Sequence, residues 1–164
     1  MSTTLAPERT SRLLSVAAAR WVAFAGGVWA LAFAALHAYW ASGGRVGVPA
    51  ATAPIAELPL FLAYDVVAGA VLFTAGVVGL VLAAPTGGGR ARLFLVHLAL
   101  VGATVALLRG GLGLLQDSTG WATGEPFTVT GALCDGWFTV AGAVFLVAAR
   151  RLRPTARVVT GRRR

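Results

Sequence analysis

The stretch Trp21–Arg45 is a hydrophobic run that closes on Leu36-His37-Ala38-Tyr39-Trp40-Ala41-Ser42-Gly43-Gly44-Arg45. Between Trp21 and Ala41 its 21 residues carry no charged side chain, and His37 is their one ionisable group. At a helical rise of ~1.5 Å per residue the run makes ~31 Å of helix, about the hydrocarbon thickness of a bilayer. It reads as a membrane span. Arg9, Arg12 and Arg20 ahead of it have the placement of a secretory signal's basic region, but the run exceeds the ~7–15 apolar residues of a cleaved core. The first helix is therefore expected to be retained.

Outward from this run the pattern recurs. A second span is expected over residues 58–84, with Pro59 suited to a first helical turn and Pro85 and Gly87-Gly88-Gly89 closing it. A third covers 93–115 and a fourth 127–149. The Gly-, Ala- and Pro-containing segment 42–57 and the segment Gln116–Pro126, which holds Asp117, Trp121 and Glu125, read as loops. The expected fold is all-α, an integral membrane four-helix bundle over residues 21–149. A basic tail over 1–20 precedes it and an Arg-rich tail over 150–164 follows.

Composition supports this class. Hydrophobic residues make up 57% of the 164-residue chain, and mean hydropathy is +0.78, too apolar for an ordinary soluble domain. A net charge of +8 would suggest nucleic acid if it lay across a polar fold. Here every basic residue is Arg and nearly all lie between or outside the apolar runs, so no nucleic-acid partner is expected. Twelve of the fourteen Arg fall on one side of a four-span topology, leaving Arg45 and Arg109 toward the other. The positive-inside rule then puts both termini in the cytoplasm, with Trp21 at the inner interface and Trp40 and Trp121 at the outer one. The lipid bilayer, with anionic head groups at the cytoplasmic face, is the expected partner. The lone Cys134 excludes an internal disulfide and a Cys-x-x-Cys pair, and reads as core filler.

Small residues recur at four-residue spacing: Gly26, Ala30, Ala34 and Ala38 in the first span, and Gly102, Ala106 and Gly110 in the third. Span two carries Gly69, Gly76 and Gly79. Such stripes let helices approach closely. Packing within one bundle is the first expectation; a homo-oligomer or a membrane partner protein is the alternative.

Ionisable groups inside spans are costly, by ~2.5–3.5 kcal/mol at a helix centre on insertion scales. Five occur here: His37, Asp65, His97, Arg109 and Asp135. Counted from the span ends, His37 and Arg109 fall near the outer surface, Asp65 ~9 Å below it and Asp135 ~13 Å below it. His97 alone falls in the inner half. An outward-opening pocket is expected from His37, Asp65, Arg109 and Asp135, with Tyr39 and Trp40 at its rim. Arg109 would be the bidentate partner of Asp135 or Asp65, leaving the other acid and His37 as titratable groups. The bland alternative is an ion pair that staples helix three to helix four.

Several chemistries are disfavoured. A bis-His haem would need His37 and His97 at one depth, yet they lie ~18 Å apart along the membrane normal. No Lys is present for a retinal Schiff base. Neither a His-Glu-x-x-His helix nor a Gly-x-Ser-x-Gly elbow occurs. No cofactor and no metal are expected. Trp29 and Trp137 read as packing aromatics.

The residues His37-x-Tyr39-Trp40-x-x-Gly43-Gly44 resemble a motif of the bacterial domain of unknown function 3995 family, small four-span membrane proteins. Leu108-Arg109-Gly110-Gly111 and Asp135-Gly136-Trp137-Phe138 are similar to its other recurring features. The resemblance covers most of residues 20–150. It implies a four-helix membrane architecture and a bacterial inner membrane, and implies no activity. The Ala/Gly/Arg-rich, Lys-free composition suits an actinobacterial genome. The expected function is a small binding or transport-related membrane protein. An accessory subunit of a membrane complex is one alternative. An intramembrane enzyme acting on lipid or quinone, with His37 as acid-base group, is the other.

Overall fold

The computed structural model describes residues 15–47, 53–85, 89–124 and 129–154. Residues 1–14 and 155–164 of the two expected tails lie outside the described residues. Four helices follow in order: α1 Val16–Ala41, α2 Pro59–Ala83, α3 Gly89–Ala122 and α4 Val129–Arg151, with a 3-10 turn at Ile55–Glu57 before α2. All four are long and apolar enough to cross a membrane. The chain is an all-α, multi-pass membrane protein. Its outward faces show why no aqueous reading fits: Leu60, Phe94 and Leu133 are each more than half exposed. A helix that is apolar all round needs lipid or other helices about it.

Local chemistry sets the helix ends. The Ser15 side chain accepts from the Ala18 amide and caps α1, so residues 16–20 join the first helix rather than the basic tail. At the other end the Gly43 amide donates to the Trp40 carbonyl and the Gly44 amide to the Tyr39 carbonyl. Gly43 has φ +96°. This is the Schellman stop, which requires a left-handed residue that glycine supplies without strain. Pro59 opens α2 as expected.

Helix α3 departs from expectation. It runs on to Ala122 through the segment expected to be a loop from Gln116. The hydroxyls of Ser118, Thr119 and Thr123 donate back to the Leu115, Gln116 and Gly120 carbonyls, so the polar residues prolong the helix. At 34 residues α3 is ~51 Å long, well beyond a ~30 Å hydrocarbon core. Its last turns can stand in water, where polar side chains cost nothing.

Helix α1 packs mainly on α2, and α3 mainly on α4, with lighter α1–α4 and α2–α3 contacts. Lipid offers no hydrophobic drive between helices, so close backbone approach must carry the packing. A Cβ placed at Gly27 would meet the Gly76 carbonyl and the Leu80 amide, and one at Gly79 would meet the Ala23 carbonyl. The buried stripe of α1 is accordingly Ala19, Ala23, Gly27, Ala30, Ala34 and His37. The expected stripe holds at Ala30 and Ala34 and is corrected at its two ends. Gly26 faces Phe145 of α4, and Ala38 is exposed. In α3, Gly110 packs against α4 while Gly102 faces open space.

The two ends of the bundle differ. At the end where α1 and α3 begin and α2 and α4 finish, all four helices meet in a core of Ala19, Ala23, Val78, Leu82, Val96, Ala148 and Leu152. Arg20, Arg90, Arg92, Arg150, Arg151 and Arg153 surround this basic end. Halfway along, Trp29 of α1 meets Trp137 and Phe138 of α4, each at 6.0 Å between ring centroids, as packing aromatics. Toward the far end the buried side chains of α1 and α2 are His37 and Asp65, and that of α4 is Asp135.

Candidate functional site

Two ion pairs occupy the far half, one in each helix hairpin. His37 is four residues before the end of α1, and Asp65 is the seventh residue of α2. Their side chains meet at 2.8 Å between Nδ1 and Oδ1. Gly69, one turn beyond Asp65, leaves room for the His37 Cβ to approach α2. Both groups are buried, with side-chain exposures of 11% and 4%. Asp65 Oδ2 is buried and has no hydrogen-bond partner.

Aromatic rings enclose the imidazole. Trp40 stands edge-on at 5.3 Å between centroids and Tyr64 at 6.3 Å. In the tautomer that carries its proton on Nδ1, the ring donates to the carboxylate and presents Nε2 as an acceptor. Tyr64 was not among the expected site residues. The only sequence signal for it is an aromatic residue directly before an intramembrane acid.

The second pair joins α3 to α4. Arg109 donates through Nη1 to Asp135 Oδ1 at 2.6 Å. One nitrogen makes the contact, where a two-pronged clamp was expected. Asp135 is buried, with a side-chain exposure of 8%, but Arg109 is half out of the bundle at 51%. Space for the pair comes from a missing side chain: a Cβ at Gly113 would collide with the Asp135 carboxylate and with Arg109 Nη1. The next turn of α4 is tied in as well, since Thr139 donates its hydroxyl to the Asp135 carbonyl.

The four residues expected in one pocket thus form two pairs, and Arg109 selects Asp135 rather than Asp65. Among the described residues no hydrogen bond or ion pair links the two pairs. Tyr39 does not flank the imidazole. Its hydroxyl accepts from the Arg45 amide, and its ring lies over Gly44, so it holds the loop after α1. Trp40 does both jobs: it stands beside His37 and donates its indole N–H to the Val46 carbonyl at 2.7 Å.

His97 and Cys134 belong to neither pair. His97 is exposed on α3 and its Nδ1 lies 2.8 Å from the Leu93 carbonyl of its own helix. Cys134 is exposed, not core filler. It precedes Asp135 by one residue, so the helix turns it ~100° away from the buried face. Among the described residues no group of three or more metal-ligating side chains converges. No family model, no curated protein and no solved structure matches this chain, so the site is read from its own geometry.

Proposed function

We infer that the protein is a small binding or transport-related protein of a bacterial inner membrane, with both termini in the cytoplasm and its polar site reached from the outer face. The His37–Asp65 pair is the working group of that site. The observation that carries the reading is the unpartnered Asp65 Oδ2 beside a buried imidazole. A purely structural pair would gain by satisfying both oxygens, because an orphaned buried acceptor costs ~1–3 kcal/mol. An open acceptor and a free imidazole nitrogen, walled by Trp40 and Tyr64, suit a small ligand that donates a hydrogen bond or exchanges a proton. Buried ionisable groups in spans serve such roles as proton relays and ion paths.

The test is native mass spectrometry of the protein extracted gently from its own membranes. The wild type is expected to retain a small molecule that His37→Gln and Asp65→Asn both lose and that Cys134→Ser keeps. Equal retention by all four proteins places the molecule elsewhere and ends this assignment.

A second reading rests on Arg109. Its side chain is half exposed on the flank of α3, between Leu108 and Leu112, which are 59% and 64% exposed. An accessory subunit would use this charge to meet a partner's helix. That reading expects Arg109→Gln to lower co-purification of a stoichiometric partner while Asp65→Asn does not.

A further inference from the structure

At the basic end a groove of about 550 Å³ runs between α1 and α2, within the ~300–1,000 Å³ of small-molecule sites. Trp21, Phe24 and Leu80 line it, with the small Ala17 and Ala83 leaving depth and Arg20 at its mouth. Trp21 is 71% exposed, the posture of an interfacial anchor.

Among the described residues no acid balances the charges at this end. Arg92 spends its guanidinium on helix ends, donating to the Leu82 carbonyl of α2, the Ala84 carbonyl just after it and the Leu152 carbonyl after α4. Those carbonyls are the negative ends of helix dipoles. Arg20 lies close enough to Arg92 to repel it. Its own Nε is buried without an acceptor, and among the described residues it makes no hydrogen bond or ion pair. Every acid among the described residues, namely Glu57, Asp65, Asp117 and Asp135, is away from this end. A buried donor with no acceptor, in a field of arginines, calls for an anion from outside the chain.

We propose that this groove holds one anionic phospholipid, its phosphate on the Arg20 guanidinium and an acyl chain along Trp21, Phe24 and Leu80. The apolar lining excludes a freely soluble anion as the sole occupant, because a phosphate ion would leave those side chains uncovered. The height also fits: Arg20 is the fifth residue of α1, at the level of the head groups, and the groove runs from there toward the lipid tails.

The experiment takes the full chain, stripped of lipid in detergent, and adds back phosphatidylglycerol or phosphatidylcholine under native mass spectrometry. The wild type is expected to hold one phosphatidylglycerol in preference to phosphatidylcholine. Arg20→Gln should weaken that binding about fivefold, the effect of one guanidinium on attraction to an anionic lipid. Arg90→Gln, which changes an exposed arginine outside the groove, should leave it unaltered. Arg20→Gln should also melt no lower than the wild type in lipid-free detergent, since it removes a charge that repels Arg92 and breaks no bond. Equal binding of the two lipids overturns the proposal, as does wild-type affinity in Arg20→Gln. A lower lipid-free melting point would make Arg20 structural, and displacement of the lipid by equimolar inorganic phosphate would assign the site to a soluble anion. Either result also sets the proposal aside.

Discussion

The α1–α2 hairpin and the α3–α4 hairpin each bury one aspartate toward the far end, and they treat it differently. Asp65 meets a neutralisable imidazole, both partners are enclosed, and one carboxylate oxygen is left without a partner. Asp135 meets the guanidinium of an arginine whose side chain is half exposed, in a space cleared by Gly113. The first pair is buried on both sides, whereas the second is buried only at its carboxylate and ties α3 to α4. Depth and residue type alone do not distinguish the two aspartates; the partner and the unpaired acceptor oxygen do.

This contrast can be broken by substitution, with thermal unfolding in detergent as the readout. Gly113→Leu should do the most damage. Its side chain would displace the Asp135 carboxylate from Arg109 and overpack the α3–α4 contact, which should cost about 3 kcal/mol. Loss of the α3–α4 staple should leave the α1–α2 hairpin paired, so a Cys introduced at Leu60 should react with thiol reagents as it does in the parent protein.

The two Asp→Asn changes should differ in size. Asp135→Asn removes the charge from a charge-assisted bond and should cost about 2 kcal/mol. Asp65→Asn still offers an oxygen to the His37 Nδ1–H and should cost about 1 kcal/mol or less, while abolishing ligand retention. The reverse order would exchange the roles assigned to the two hairpins. Trp40→Phe should have the smallest effect, about 0.5 kcal/mol for the bond to the Val46 carbonyl. It keeps an aromatic ring beside His37, so a larger loss of retention than of stability would place the indole in the site.

Much of the architecture was legible because lipid imposes simple rules. Uncharged runs of bilayer length, Pro59 and the placement of Arg were enough to expect four helices in alternation. They fall within a few residues of the observed elements, α3 apart. The end of α3 was misread because Gln116–Thr119 is polar, and polarity signals departure from lipid, not departure from helix. The side-chain hydroxyls fold back on the carbonyls and keep the helix going. The ends of the stripe on α1 differ from expectation for another reason. A run rich in Ala and Gly has no polar face to set its azimuth, so Gly26 and Gly27 are equivalent in sequence and ~100° apart in space. The same ambiguity put Cys134 in the core.

The candidate site shows the same division. His37, Asp65, Arg109 and Asp135 stand out in the chain because ionisable groups in apolar helices are costly wherever they sit. Their pairing, however, depends on which helices are neighbours and on which face each presents. Small side chains set both, through Gly27 against Gly76, Gly69 beneath His37 and Gly113 beneath Asp135. The chain's apolar runs and arginines by themselves determine that it forms four membrane-length helices with a basic end, because burial of charge in lipid is prohibitive. The division of four polar residues into two pairs, with a free oxygen on Asp65 and an unsatisfied Arg20 beside an apolar groove, was decided only by tertiary packing. Contacts a few ångströms wide turn on helix rotation, which hydropathy does not encode.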